Sequence, residues 1–241
     1  MHEPLLICDL DGTLVDSQPG IVEALRQACL ATGVEPLQTL AELPVGPPLD
    51  ELLRSVTGLQ TGETLHRLRS AFTDFYDSGA CRLTIPFEGV QTMLESLRVQ
   101  GVALAIATNK RQAPTTSILE ALGWTHLFVA VESVDSRPPS GRTKAQMLQG
   151  ILAALAPPAA AYLGDTAADI DAAREAVLPC IVAEWGYGRH LPPAAPLRAA
   201  SPREAMAACL TTLQSSEWQE TIRVTAAAAR TTGDDPPPHC F

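Results

Sequence analysis

Apolar residues along this chain fall into two rhythms. Short continuous runs occur at Leu5–Cys8, Val102–Ala107, Leu127–Val131, Ala160–Leu163 and Cys180–Ala183. Such runs, bounded by turn residues, predict strands buried on both faces. Between them the spacing becomes helical. Val90, Met93, Leu94 and Leu97 recur at i, i+3, i+4 and i+7 before Gly101. Ile118, Leu119 and Leu122 precede Gly123, and Leu148, Ile151, Leu152 and Leu155 precede Pro157-Pro158. Met206, Cys209, Leu210 and Leu213 form a last stripe. Buried strands alternating with amphipathic helices predict an α/β fold, with a parallel sheet covered on both faces. Ligands of such sheets bind at the carboxyl ends of the strands.

The alternation breaks between residues 17 and 83. Three helical stripes follow one another there: Ile21, Ala24, Leu25 and Ala28; Leu49, Leu52, Leu53 and Val56; Leu65, Leu68, Phe72 and Phe75. An all-α block after the first strand is expected to form a separate lid over the sheet edge. Residues 192–203 are rich in Pro and Ala and read as a loop. Beyond Ser215 the pattern weakens, and Gly233-Asp-Asp-Pro-Pro-Pro predicts a tail without packed structure.

Composition narrows the function classes. With 241 residues and 46% hydrophobic content, the chain can bury a substantial core. Its net charge of -10 argues against a nucleic-acid partner, which needs a basic face. The six cysteines are scattered without a C-x-x-C pair, so neither a disulfide framework nor a zinc knuckle is expected. Cys8, Cys29, Cys180 and Cys209 read as small core residues. No stretch reaches about 18 apolar residues, and no signal peptide pattern opens the chain. The default expectation is a cytoplasmic protein with no membrane partner.

Chemistry-bearing residues gather at the ends of the apolar runs. Asp9 and Asp11 stand two apart, where the first run gives way to Gly12. On an extended segment, i and i+2 point the same way, and two carboxylates so placed repel unless a cation or proton lies between them. Thr108-Asn109-Lys110 follows the second strand, Lys144 opens a helix, and Gly164-Asp165-Thr-Ala-Ala-Asp169 follows the fourth run. Asp9, Asp11, Asp165 and Asp169 are hard oxygen ligands suited to Mg²⁺. A carboxylate nucleophile, an acid/base carboxylate, a cation and a hydroxyl donor together suggest phosphoryl transfer.

Asp9-Leu-Asp-Gly-Thr-Leu-Val-Asp-Ser17, Thr108, Lys144 and Gly164-Asp165-x-x-x-Asp169 resemble the four motifs of the haloacid dehalogenase superfamily. The similarity is strongest to phosphoglycolate-phosphatase-like members. Val45-Gly46-Pro47-Pro48-Leu49 and Trp185-Gly186-Tyr187-Gly188 also look like that group, and the resemblance covers about residues 4–214. It implies a Rossmann-like catalytic core at 1–16 and 84–214, an inserted helical cap at 17–83 and a tail at 215–241. It implies that Asp9 attacks phosphorus and that Asp11 serves as acid and then base. Mg²⁺ would be held by Asp9, Asp11 through its backbone carbonyl, Asp165 and Asp169. Thr108, Asn109 and Lys144 would bind the phosphoryl group, with Gly46 facing the substrate. Dehalogenase members lack the second acid, so Asp11 favours a phosphate ester or anhydride.

The third motif departs from the family's usual Lys-Pro, reading Arg142-Thr143-Lys144-Ala145, and Lys110 competes with Lys144 for the phosphoryl contact. Val177 stands where the family usually has Gly. The expected function is a Mg²⁺-dependent phosphatase acting on a small phosphorylated metabolite. The alternatives are a phosphomutase of the β-phosphoglucomutase type, a pyrophosphatase or 5'-nucleotidase, and a regulatory module that kept the fold. Monomer and homodimer both remain open.

Overall fold

A computed structural model describes residues 3–37, 39–40, 49–138, 141–188 and 197–215. The sheet contains β1 (Leu5–Cys8), β4 (Ala103–Thr108), β5 (Ala130–Ser133), β6 (Ala160–Gly164), β7 (Cys180–Ala183) and β8 (Leu197–Ala199). All neighbours are parallel, in the order β5-β4-β1-β6-β7-β8. The order reverses at β1, so its carboxyl end lies at a topological switch point, where open α/β sheets bind ligands.

The strands are buried on both sides, as the continuous apolar runs require. Leu6 and Cys8 pack with Leu104, Ile106 and Leu163 on one face. That face is covered by α4 (Val90–Val99) and α8 (Pro202–Gln214). Leu5 and Ile7 join Ala103, Ala105 and Tyr162 on the other, under α6 (Lys144–Leu155) and α7 (Ala167–Glu175). The alternation of faces within Leu5–Cys8 is the period of two of a pleated strand.

After β1 the chain makes a two-residue strand, β2 (Val15–Asp16), and enters three helices: α1 (Gln18–Thr32), α2 (Leu49–Thr57) and α3 (Glu63–Ser78). It returns through a 3-10 turn at Ala80–Leu83 and β3 (Ile85–Pro86), which pairs antiparallel with β2. The helices share an apolar core of their own. Leu25 and Ala28 pack on Leu53, Val56, Leu68 and Phe72, and Ile118 of α5 (Gln112–Ala121) closes its base. Gly33 ends α1 in the left-handed conformation with φ 69°, where an L side chain would be strained.

Two readings of the sequence need correction. Part of the stretch read as a loop is ordered: Leu197–Ala199 forms the edge strand β8, and α8 begins at Pro202. Ala199 is buried on the sheet, and Pro suits the first turn of a helix. The run Leu127–Val131 is not one strand. Thr125–Leu127 is a 3-10 turn that drops Leu127 into the core, and β5 starts at Ala130. The tail beyond Ser215 lies outside the described residues. Cys8, Cys29, Cys81, Cys180 and Cys209 are free and buried. No described helix is long and apolar enough to cross a membrane.

Candidate active site

Asp9 emerges directly from β1, anchored by its own N–H to the Leu163 carbonyl at 2.8 Å. Its carboxylate is almost wholly buried, with Lys144 Nζ 2.9 Å from Oδ1. Asp11 lies in the tight loop that follows, where Gly12 takes φ 87° and donates to the Val15 carbonyl at 2.9 Å. Asp11 has different partners: Lys110 Nζ stands 3.1 Å from its Oδ2, and Ser17 Oγ donates to its Oδ1. The two carboxylates line one cleft but are served by separate lysines. Each of the two candidate lysines thus has its own carboxylate. Lys144 belongs to Asp9, while Lys110 belongs to Asp11.

Thr108 ends β4 at the rim of the same cleft, and its Oγ1 accepts the Lys110 backbone N–H at 3.1 Å. Asn109 is exposed on the cleft wall. Lys110 Nζ also donates to the hydroxyl of Tyr76 on α3 at 2.7 Å and lies 4.8 Å from the centre of that ring. Burial alone would lower the Lys110 pKa, but Asp11 and Tyr76 outweigh it and hold the ammonium above its usual range. Gly46 lies outside the described residues.

Lys144 is the first residue of α6, fixed by a capping box in which Thr143 Oγ1 accepts from Gln146 N and Gln146 Oε1 accepts from Thr143 N. Two residues earlier, Arg142 ion-pairs with Glu132, a buried carboxylate in β5 that also pairs with Arg137. This chain therefore positions Lys144 with a capping box and an Arg–Glu tether in place of proline rigidity.

Asp169 sits in the first turn of α7, in a second capping box with Thr166. One of its oxygens accepts Lys144 Nζ at 2.6 Å and the Tyr162 hydroxyl at 2.7 Å. The other accepts Thr166 Oγ1 at 2.6 Å and the N–H groups of Thr166 and Asp165. Asp169 thus holds Lys144 and shapes the turn at the end of β6. Asp165 is aimed by three donors: Thr13 Oγ1 at 3.1 Å, Tyr187 N at 2.9 Å and Gly188 N at 3.1 Å. A Cβ on Gly186 would overlap the Gly12 carbonyl oxygen, so Gly is what allows that loop to approach.

The electrostatics are those of a crowded anion cluster. Burial pushes the Asp9 carboxyl up to about 8, with Lys144 opposing and Asp169 and Asp165 adding to the rise. Burial, with Asp169 nearby, brings Asp165 to about 6. Burial would raise Asp169 too, but the charge and hydrogen bond of Lys144 keep it below the usual carboxylate value. Carboxylate oxygens of Asp9, Asp165 and Asp169 lie within 4.8 Å of one another. Two buried carboxylates that resist ionisation, beside one lysine shared with a third, fit a divalent cation with oxygen ligands.

The structure gathers Asp9, Asp11, Thr108, Lys144, Asp165 and Asp169 at one sheet edge. With them stand Lys110, the competing lysine of the sequence, and Ser17 of the first motif; the structure adds Tyr76, Tyr162 and the Tyr187–Gly188 backbone. Spacing offered a signal for the first: Arg69, Phe72 and Tyr76 are at i, i+3 and i+7, one face of a helix. The others act through partners distant in sequence, which no local pattern marks.

The model of the family described as "Haloacid dehalogenase-like hydrolase" matches residues 6–183. The tyrosine-protein kinase PtkA of Mycobacterium tuberculosis is 35% identical over 188 residues, which cover 77% of this chain and 63% of PtkA. The chain thus spans less than two thirds of that relative's length. The PtkA structure aligns with a TM-score of 0.69 at 30% identity, covering 86% of this chain and 98% of that one. The phosphoglycolate phosphatase of Xylella fastidiosa is 30% identical over 190 residues, covering 77% of this chain and 82% of that protein. A haloacid dehalogenase-like family protein from Streptococcus pneumoniae shares the fold with a TM-score of 0.72 at 24% identity, covering 86% and 98% of the two chains.

Proposed function

The chain belongs to the haloacid dehalogenase-like hydrolase family, and we propose that it is a Mg²⁺-dependent phosphatase that hydrolyses a small phosphate ester through an aspartyl-phosphate on Asp9. The observation that carries this reading is the division of Asp9 and Asp11 between two lysines. One carboxylate is buried and held against Lys144 and the anion cluster. The other stands nearer solvent, beside a lysine and a serine.

In the first step an Asp9 oxygen attacks phosphorus. The bond from phosphorus to the leaving oxygen breaks as the Asp9–phosphorus bond forms. Asp11 protonates the leaving alcohol. In the second step Asp11 takes a proton from water, which attacks the same phosphorus and displaces Asp9 as a free carboxylate and phosphate as product. Thr108 and Asn109 hold phosphoryl oxygens, and Lys144 offsets the charge that builds on Asp9 and the phosphoryl group. Asp9, Asp165 and the Asp11 backbone carbonyl would hold the cation, with Asp169 behind them. When bound, that ion supplies positive charge for phosphoryl transfer.

The test is phosphate release from p-nitrophenyl phosphate with and without Mg²⁺. Turnover that needs Mg²⁺ and vanishes in Asp9→Asn is expected. An inactive wild type, or an active Asp9→Asn, overturns the reading. With a sugar phosphate as substrate, an isomerised ester without free phosphate would indicate a mutase.

A further inference from the structure

The cleft above Asp9 is larger and less polar than a short phosphate ester needs. Its volume is about 770 Å³, within the range that buries a drug-sized molecule. Beyond the reacting groups its walls include Ile21 of α1, Leu49 and Leu52 of α2, Pro114 of α5, and Phe72, Thr73 and Tyr76 of α3. The Phe72 and Tyr76 rings stack on each other at 5.6 Å and 10° and are buried, so little of either reaches the cleft, and the apolar surface it meets is mainly that of the half-buried Ile21 and Leu49.

Four described cations line this cleft, and three are committed. Lys144 joins Asp9 to Asp169, and Lys110 joins Asp11 to Tyr76. Arg111 grips Asp77 with both guanidinium nitrogens, at 2.7 and 2.6 Å. Arg69 differs. Among the described residues its one ion pair is Nε to Asp50 Oδ1 at 3.2 Å, with the two side chains 57% and 41% exposed. A pair so exposed contributes little, so giving it up for a bound anion is easy. Arg69 shares the α3 face of Phe72 and Tyr76, seven residues before Tyr76, or about 10 Å along the helix.

We propose that the leaving group of the substrate has two parts: an apolar body that lies against Ile21 and Leu49, and a terminal carboxylate or phosphate that Arg69 takes over from Asp50. The inference rests on the phosphatase reading of the same site and adds the class of ester. A two-carbon phosphate ester engages only the reacting end. An ester with an apolar body and an anionic arm engages Arg69 as well.

The test uses three esters of nearly equal leaving ability: phenyl phosphate, 4-carboxymethylphenyl phosphate and 4-phosphonomethylphenyl phosphate. In wild type at least one anionic ester is expected to exceed phenyl phosphate in kcat/KM by about tenfold, the value of one charge-assisted hydrogen bond. The better of the two identifies the anion. In Arg69→Met that ratio falls toward one. In Arg67→Met, an exposed neighbour outside the cleft wall, it stays as in wild type. Equal turnover of all three esters in wild type, or a preference that survives Arg69→Met, overturns the proposal and leaves the phosphatase reading standing. No turnover of any of them overturns both.

Discussion

The Lys110 ammonium donates to the Tyr76 hydroxyl at 2.7 Å, binding the loop after β4 to the last turns of α3. The same ammonium faces Asp11, so the acid/base candidate and the helical insert share one cation. Tyr76→Phe keeps the ring stack on Phe72 and removes only the hydroxyl. It is expected to lower stability by about 1–2 kcal/mol and to reduce kcat more than it changes KM. Thermal melting and steady-state kinetics on an aryl phosphate check this. An unchanged kcat would mean that the contact is structural only.

Lys144→Met removes the sole lysine between Asp9 and Asp169. A loss of 10²–10³-fold in kcat, about 3–4 kcal/mol, is expected, by analogy with a lost oxyanion donor. Lys110→Met, acting through Asp11, is expected to slow hydrolysis of the phosphoenzyme as well as its formation. Single-turnover measurements separate the two. A Lys144→Met enzyme that forms the phosphoenzyme at the wild-type rate would contradict the assignment.

The raised carboxyl groups make a prediction about pH. Asp9 and Asp165 move from the usual 3.8 to about 8 and about 6 in the fold. Because folding raises these values, their contribution to stability is complete below about pH 4 and is lost as pH climbs through 6 and 8. The metal-free protein therefore weakens over that window, and Mg²⁺ relieves the repulsion that causes it. At 100 times its Kd, Mg²⁺ is expected to add about 2.7 kcal/mol at pH 8, a Tm rise of roughly 5–10 °C, and much less at pH 5. Melting curves with Mg²⁺ and with a chelator at both pH values measure it. An equal gain at pH 5 and pH 8 would place the cation elsewhere.

Val177 closes α7 in the left-handed conformation, with φ 57°. Its N–H donates to the Arg174 carbonyl at 3.1 Å, and Leu178 N–H donates to Ala173 at 2.8 Å, the pairing of a Schellman motif. A β-branched residue is strained there by about 1–2 kcal/mol, and Val177 is 44% exposed, so little burial offsets it. Val177→Gly is expected to raise Tm by about 2–4 °C without altering kcat. Scanning calorimetry decides it.

The sheet and most of the candidate site were legible in the chain for a physical reason. A strand buried on both faces must be apolar throughout, so a polar residue at its end, such as Asp9, Thr108 or Asp165, is conspicuous. The short ribbon of Val15–Asp16 with Ile85–Pro86 was not legible, because two-residue strands carry no periodicity and one contains Pro. β8 was hidden by the Pro and Ala around it. Tyr187 and Gly188 serve through backbone N–H groups, which every residue but Pro has, so nothing in their side chains announces the role. Glu132 lies just past the apolar run Leu127–Val131, and only the fold brings Arg137 and Arg142 onto it.

The ribbon also bears on how this chain could be rebuilt. Because Val15 pairs with Pro86 and Asp16 with Ile85, the two crossings between sheet and helices lie side by side, within about 5 Å. Everything between them is therefore a cassette whose two ends already meet. Replacing it with another helical module, or with a tight turn, asks for no change in strand order, in Asp9 or in Lys144. On the proposed function, substrate range would lie in the exchangeable part and bond-breaking chemistry in the fixed one, with the chain crossing between them at this ribbon and Lys110–Tyr76 and Arg111–Asp77 bridging them.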